Sequence, residues 1–168
     1  YFAGREEDIA LLETTLENYN ICGVIAASGA GKSSLVHAGL IPALAMRESE
    51  AWDVFAFKPG QDPLYSLARS MSGVLAQGDN LDTQLNEIRR NVDNLRETSG
   101  RLSEYIEEII RRRIGNTSGK IHRVLIFIDQ WEELYTRESV EDRNILVREL
   151  MDVVERGLAK VLLTMRID

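Results

Sequence analysis

A glycine-rich segment at residues 26–33, with the sequence AASGAGKS, joins an apolar run to a helical pattern. The run at 21–27 is short, apolar and rich in β-branched residues, which predicts a strand, and apolar residues recur at helical spacing over 33–46. Gly29 and Gly31 permit backbone angles and close approaches that a side chain would block. The pattern therefore predicts a strand that passes through a tight loop directly into a helix, as in α/β folds.

This strand, loop and helix form the context that a phosphate-binding loop, or P-loop, requires. Backbone N–H groups of such a loop surround phosphate oxygens, and the helix N-terminus adds partial positive charge. We expect Lys32 to reach the β- and γ-phosphates of a nucleoside triphosphate, and Ser33 to place its hydroxyl on Mg²⁺. Ala26 replaces the first glycine of the pattern, a change that we expect binding to tolerate; the alternative is a glycine-rich turn without a ligand. The predicted nucleotide-binding residues are Ser28, Gly29, Ala30, Gly31, Lys32, Ser33 and Ser34.

A second candidate element follows about 100 residues after the P-loop. The apolar run VLIFI at 124–128 is typical of a strand with both faces covered, and it ends at Asp129. A carboxylate in this place would organise Mg²⁺ together with Ser33. Glu132 and Glu133 come next, and either could polarise an attacking water. The alternative for each glutamate is an acidic surface turn.

Strand-like and helical patterns alternate along the chain, which predicts a parallel sheet with right-handed crossovers. Further strands are predicted at 53–58 and 160–165. Arg166 follows the last of them, on the side of the sheet where ligands bind, and could contact the γ-phosphate; the alternative is a surface arginine. Pro42 is expected to kink or shorten its helix. A turn and then a helix are predicted over 4–18, and further helices over 33–46, 63–75, 81–95, 102–113 and 140–154, with breaks at 78–80, 98–100 and 115–119.

One helix carries a regular apolar stripe, formed by Leu81, Leu85, Ile88, Val92 and Leu95. Such a stripe buries one face of a helix against other apolar surface. We expect it to pack against neighbouring elements of the same chain, and the alternative is pairing with a helix of a partner.

Charge and composition exclude several classes of protein. The net charge of -7 disfavours a nucleic-acid-binding surface, and the arginines at 111–113 read as the solvated side of a helix. The single cysteine, Cys22, allows no intrachain disulfide, which fits a reducing compartment such as the cytoplasm. No apolar stretch approaches the roughly 18 residues of a membrane span. The two histidines are isolated and give no metal-site spacing.

Several segments occur in the order seen in STAND NTPases, which are multidomain signal-transduction ATPases related to AAA+ proteins. They are GRE near the start, SGAGKSSLVHAGLIPAL, DPLYSLA, LIFIDQWEELYT and VLLTMRID. The chain most resembles the prokaryotic novel STAND branch, although Trp131 stands where phenylalanine is usual. The resemblance covers nearly all of residues 1–168, as a single P-loop NTPase domain, and is weakest in a helical insert at about 78–119.

The resemblance implies a three-layer ASCE/AAA+-like α/β fold with a parallel sheet in the strand order 1-4-3-2. It implies that the chain stops before the family's fifth strand and helical lid. By the same resemblance, Gly4 and Arg5 would lie beside the base and Asp129 would be the Walker B aspartate. One of the two following glutamates, preferably Glu133, would serve hydrolysis, and Arg166 would act as a sensor of the γ-phosphate.

The resemblance also implies a function. The expected ligands are ATP, or another nucleoside triphosphate, and Mg²⁺. The expected role is a slowly hydrolysing signalling switch that self-associates within a larger protein, with sensor and effector domains outside this chain, in bacterial signalling or defence. The alternatives are a non-hydrolysing, nucleotide-dependent interaction scaffold and a small-molecule kinase. A DNA-loading AAA+ protein is disfavoured by the acidic charge.

Overall fold

The computed structural model describes residues 4–75, 80–114, 119–135 and 140–167. Most of the predicted breaks at 78–80 and 115–119 lies outside these ranges. The strands are β1 (Ile21–Ala26), β2 (Glu50–Phe57), β3 (Ile121–Ile128) and β4 (Lys160–Arg166). The helices are α1 (Glu6–Asn18), α2 (Lys32–Ser34), α3 (Ile41–Ala45), α4 (Pro63–Leu75), α5 (Leu81–Glu97), α6 (Arg101–Ile114) and α7 (Val140–Glu155). A π-helical segment (Leu35–Leu40) joins α2 to α3, and a 3₁₀ helix (Trp131–Tyr135) follows β3.

The described strands form one parallel sheet in the order β1-β4-β3-β2. This confirms the predicted fold class and the order 1-4-3-2. In this order, Ala26 pairs with Arg166 and Phe57 pairs with Ile128, so the carboxyl ends of all these strands share one edge. The loops that follow the strands are therefore gathered at that edge, where ligands bind in open α/β sheets.

Helices cover both faces of the sheet and give the predicted three layers. On one face, α1 packs with the P-loop helix, which we define as the continuous helical backbone from Lys32 to Ala45. On the other face pack α4, α5, α6 and α7. Strand β3 serves both layers, because Leu125 and Phe127 point into the first core while Ile126 and Ile128 point into the second.

Two strands begin earlier than their apolar runs indicate. β2 begins at Glu50 rather than at 53, and β3 begins at Ile121 rather than at 124. These extensions include the polar residues Glu50, His122 and Arg123, which have partners on the neighbouring strand: His122 Nε2 lies 3.0 Å from Asp53 Oδ2, and Arg123 donates to Glu50. A search for apolar runs misses such positions because their side chains are satisfied by ion pairs rather than by apolar burial.

Pro42 does not end the P-loop helix. The backbone stays helical through Ala45, but residues Leu35–Leu40 before the proline are π-helical. A proline ring crowds the carbonyl four residues earlier and removes a donor. Wider π turns are one way in which a helix accommodates such a break in its hydrogen-bond ladder.

The apolar stripe of α5 packs mainly inside the chain. Ile88, Val92 and Leu95 are buried in the core shared with α4, α6 and α7, while Leu81 at the start of the helix is 68% exposed. The expectation of packing against neighbouring elements is therefore confirmed for most of the stripe. Throughout the described ranges, every helix is too short or too polar to cross a lipid bilayer.

Candidate nucleotide-binding site

A cleft of about 310 Å³ opens at the carboxyl edge of the sheet. The P-loop forms one wall of this cleft, and residues at the carboxyl ends of β3 and β4 form the other. The lining residues are Ser28, Gly29, Ala30, Gly31, Lys32, Ser33, Ser34, Asp129, Gln130 and Arg166. All seven residues predicted to bind nucleotide within the P-loop therefore line the same cleft as Asp129 and Arg166.

The P-loop owes its shape to two glycines. Gly29 and Gly31 have φ angles of 75° and 76°, which side-chain-bearing residues rarely adopt. Gly31 is the N-cap of α2, and its carbonyl accepts from Leu35 N at 2.8 Å. The following N–H groups of a helix N-terminus have no helical partner, so they are available to an anion.

Lys32 lies along the loop that carries it. Its ammonium donates to the carbonyls of Ala26 and Ala27 at 2.7 and 2.8 Å. These bonds draw the loop around the lysine and hold the positive charge in the wall of the cleft. An ammonium has three donors, so the side chain can bond a phosphate oxygen by exchanging one of these carbonyls or by using its third N–H.

The N-terminal Gly4-Arg5 pair reaches the P-loop. Arg5 donates from Nη1 to the carbonyl of Ala30 at 3.0 Å and pairs through Nε with Asp8 at 3.1 Å. A Cβ on Gly31 would lie 3.4 Å from Arg5 Nη1, so the missing side chain also makes room for the guanidinium. Gly4 has a φ of 92° and donates its N–H to the Glu6 carboxylate. Arg5 thus lies beside the P-loop, and Gly4 lies at the start of α1.

Asp129 is the most constrained polar side chain of the site, and only 3% of the residue is exposed. Its Oδ1 accepts from Ser33 Oγ at 2.7 Å and from Thr164 Oγ1 at 2.6 Å, and its Oδ2 lies 3.5 Å from Lys58 Nζ. Burial acts to raise the pKa of this carboxyl. The hydrogen bonds from Ser33 and Thr164 and the charge of Lys58 outweigh burial, so the pKa lies below its usual value.

The chemistry of Ser33 and Asp129 suits Mg²⁺. A hydroxyl and an ionised carboxylate are the hard oxygen ligands that this ion prefers, and it commonly takes few protein ligands beside phosphate oxygens and water. Within the described residues, no cluster of three or more His, Cys, Asp or Glu side chains could hold a metal by itself. Ser33 and Asp129 are of the right chemical type to hold Mg²⁺ together with phosphate oxygens.

The two candidate glutamates point to different neighbours. Both stand on the 3₁₀ helix after β3. Glu132 accepts from the backbone N–H of Arg166 at 3.3 Å, so it lies at the end of β4. Glu133 accepts from the backbone N–H of Gly60 at 3.1 Å, so it lies at the end of β2. Arg166 itself is exposed and lines the cleft opposite the P-loop.

Three further residues join the site that sequence reasoning did not identify: Lys58, Gln130 and Thr164. Thr164 donates to Asp129, and its Oγ1 accepts from Gln130 N at 2.9 Å. A threonine inside the apolar run KVLLTM was a usable signal, because such a run is expected to be buried and a buried hydroxyl needs a partner. In the structure Thr164 is fully buried. Lys58 and Gln130 offered no such signal, since their roles depend on how β2 and β3 pair.

Another cavity, of about 110 Å³, lies at the amino ends of the strands. Arg47 lines it and bonds to Glu13, Glu17 and Glu50 at 2.9–3.2 Å, while Glu50 also accepts from Arg123. These charged groups satisfy one another, so we interpret this cavity as a structural ion-pair network that ties α1 to the sheet.

Comparison with known proteins agrees with this geometry. The family described as Novel STAND NTPase 1 matches residues 1–168. Among solved structures, a Walker-type ATPase of Pyrococcus abyssi superposes with a TM-score of 0.52 at 19% identity, covering 96% of this chain and 44% of that chain. A chain of the HORMA, CdnC and Trip13 complex of E. coli gives a TM-score of 0.45 at 17% identity, covering 94% of this chain and 44% of that one. No curated protein matches the sequence.

The likeness to the Pyrococcus ATPase shows the fold, and this chain spans less than half of that protein's length. The family match covers every residue of the chain, including the P-loop and the Asp129 strand. The chain therefore belongs to the novel STAND NTPase family and is an NTPase-type module.

Proposed function

We propose that this module binds ATP, or another nucleoside triphosphate, with Mg²⁺ in the carboxyl-edge cleft and hydrolyses it slowly as a signalling switch. The observation that carries the proposal is the 2.7 Å hydrogen bond between Ser33 Oγ and Asp129 Oδ1. It joins the P-loop helix to the end of β3, so the two oxygens that suit Mg²⁺ stand next to the loop that suits phosphate.

Each wall of the cleft has a part in binding. The P-loop N–H groups and Lys32 hold the β- and γ-phosphates, while Ser33 and Asp129 hold Mg²⁺. Bound Mg²⁺ supplies positive charge against the phosphate oxygens. Gly4 and Arg5 lie on the base side, where the Arg5 bond to Ala30 links the N-terminal segment to the loop.

We propose that residues of the wall opposite the P-loop carry out hydrolysis. Arg166 is exposed in the cleft, and its long cationic side chain suits the charge of the γ-phosphate. Glu132 and Glu133 flank this wall, one at the end of β4 and the other at the end of β2. They are the carboxylates that we propose for the hydrolytic step.

A switch requires contacts that differ between the triphosphate and the diphosphate. Arg166 and Lys32 line opposite walls of the cleft. If both contact the γ-phosphate, losing that phosphate removes a bridge across the cleft. We propose that this bridge favours self-association of a larger cytoplasmic protein, whose sensor and effector domains lie outside this chain. The setting that we propose is bacterial signalling or defence.

Isothermal titration of Mg²⁺·ATP into the wild type and Lys32→Ala tests the binding step. We expect binding in the wild type and its loss in Lys32→Ala, because the variant lacks the ammonium beside the loop carbonyls. Lys120→Ala is the matched control, since Lys120 is an exposed lysine before β3 and should leave binding unchanged. Equal affinity in the wild type and Lys32→Ala would contradict the assignment.

A non-hydrolysing interaction scaffold is the second candidate. It is favoured by one observation: both glutamates that could activate water are engaged with backbone N–H groups. Size-exclusion mass with ATP and with a non-hydrolysable analogue separates the two functions. A scaffold would assemble and stay assembled with either nucleotide, whereas a hydrolysing switch would disassemble with time in ATP alone.

A further inference from the structure

Gln130 has an unusual backbone. Its φ of 62° makes it the only non-glycine residue with a positive φ among the residues that the structure describes. Such a conformation costs of order 1–3 kcal/mol and persists where the surroundings enforce it. Here Thr164 Oγ1 accepts from Gln130 N at 2.9 Å, and Gln130 O accepts from Glu133 N at 3.0 Å. The residue that follows Asp129 is thus held in place on both sides of its backbone.

The Gln130 side chain is oriented as well, by two charged neighbours. A carboxylate can only accept a hydrogen bond and an ammonium can only donate one. The amide nitrogen therefore faces Glu133, donating to Oε1 at 2.6 Å, and the amide oxygen faces Lys58, accepting from Nζ at 3.3 Å. Glu133 is anchored in turn, because its Oε2 accepts from Gly60 N at 3.1 Å. Lys58 thus directly follows β2, and Glu133 bonds to the loop after β2.

These bonds leave the amide with capacity for a ligand. A glutamine amide has two N–H donors and two acceptor lone pairs. Within the described part of the chain, the hydrogen bonds to Glu133 and from Lys58 use one N–H and one lone pair. Gln130 lines the cleft together with Lys32 and Arg166. One donor and one acceptor, in a fixed orientation, can hold a single water molecule or bridge a water to a phosphate oxygen.

We propose that Gln130 is the catalytic residue that positions the attacking water, and that Glu133 is a positioning residue that fixes the Gln130 amide. This inference rests on the proposed function. The water oxygen forms a bond to the γ-phosphorus as the bond from that phosphorus to the β–γ bridging oxygen breaks. The proton lost by the water ends on an oxygen of the released phosphate. An amide does not take up a proton, so Gln130 acts only by orienting the water. We therefore expect a low rate of hydrolysis.

Single-turnover release of phosphate from Mg²⁺·ATP, measured beside Mg²⁺·ATP affinity, tests this assignment. We expect Gln130→Ala and Glu133→Ala to lower the rate by a similar factor of about 10², with little change in affinity. Glu133→Gln should be about tenfold faster than Glu133→Ala, because its single amide oxygen can still accept from Gln130 Nε2, although its NH₂ group cannot replace the bond from Gly60 N. The Gln130→Ala, Glu133→Ala double variant should be no slower than Gln130→Ala alone. Glu155→Gln, an exposed glutamate on α7, is the matched control.

The conservative variant decides between the two roles of Glu133. If Glu133 takes the proton from water, Glu133→Gln must be as slow as Glu133→Ala, and that result would overturn the inference. ATP binding with no phosphate release in the wild type would also overturn it and leave the binding step of the proposed function standing. Loss of wild-type ATP binding would overturn both. Unchanged affinity in the slow variants shows that their cleft remains folded.

Discussion

At the scale of single residues, the site is organised around the Asp129 carboxylate. Ser33 reaches it from the P-loop helix, Thr164 from β4 and Lys58 from the end of β2. A carboxylate that is almost fully buried is costly unless charged or hydrogen-bonding partners surround it. These contacts therefore stabilise the fold, and changes here should affect both the fold and the metal binding that we propose.

Thr164→Val should destabilise the protein. The substitution keeps the shape but removes the hydroxyl that donates to Asp129 and accepts from Gln130 N. We expect a loss of about 1.5–3 kcal/mol in the free energy of unfolding, because a buried charged acceptor loses a donor. Urea denaturation measures it. Thr164→Ser keeps the hydroxyl and should lose only about 1 kcal/mol, from one buried methyl group; equal losses in both variants would contradict this account.

The depressed pKa of Asp129 predicts a pH dependence of stability. A carboxyl whose pKa is lower in the folded state contributes stability above its unfolded value, here 3.8, and this is lost as pH falls through the folded pKa. Asp129→Asn has no such titration. Urea denaturation between about pH 5 and pH 2 should therefore show a steeper fall in wild-type stability than in Asp129→Asn. An equal fall in the stability of the two proteins over this pH range would mean that the bonds from Ser33 and Thr164 do not favour the charged form of Asp129.

At the scale of elements, local and long-range features were not equally predictable. The P-loop could be predicted because its glycines, lysine and helix start are contiguous in sequence. The positions of Asp129 and Arg166 at the carboxyl edge could be predicted because each stands at the end of an apolar run. The orientation of Glu132 and Glu133 could not, because it depends on the pairing of β3 with β4 and with β2. Gln130 was missed because its backbone angle comes from contacts across the sheet, not from its residue type.

The helical insert shows the same dependence on distant contacts. Glu149 on α7 is fully buried and accepts from Gly100 N and Leu102 N, both at 2.9 Å, at the start of α6. A carboxylate from another helix thus supplies the N-terminal cap of α6, and no motif near α6 in the sequence predicts this contact. This contact holds the insert against the helix that covers β3 and β4.

Glu149→Ala should therefore loosen the insert. The variant leaves two N–H groups at the start of α6 without their acceptor, which we expect to cost about 1–3 kcal/mol. Glu149→Gln keeps one acceptor oxygen and should lose less. Hydrogen exchange of the α6 amides gives the local readout, and Glu155→Ala on the exposed side of α7 is the control, expected within about 0.5 kcal/mol of wild type. Unchanged α6 protection in Glu149→Ala would contradict the capping role.

At the scale of the whole molecule, one edge of the sheet collects the P-loop, Asp129, Gln130 and Arg166. Strand order causes this, since β4 lies between β1 and β3 and brings residues far apart in sequence to one cleft. The opposite edge carries ion pairs that tie α1 to the sheet. The sheet thus has an ion-pair network at one end and the cleft at the other.

Linkage between nucleotide binding and folding tests the central claim most directly. Urea unfolding of the wild type and Lys32→Ala would be measured with and without Mg²⁺·ATP at about 100 times the dissociation constant. A ligand that binds only the folded cleft should raise the wild-type free energy of unfolding by about 2.7 kcal/mol and leave Lys32→Ala unchanged. No stabilisation of the wild type, or equal stabilisation of both proteins, would contradict nucleotide binding at the P-loop.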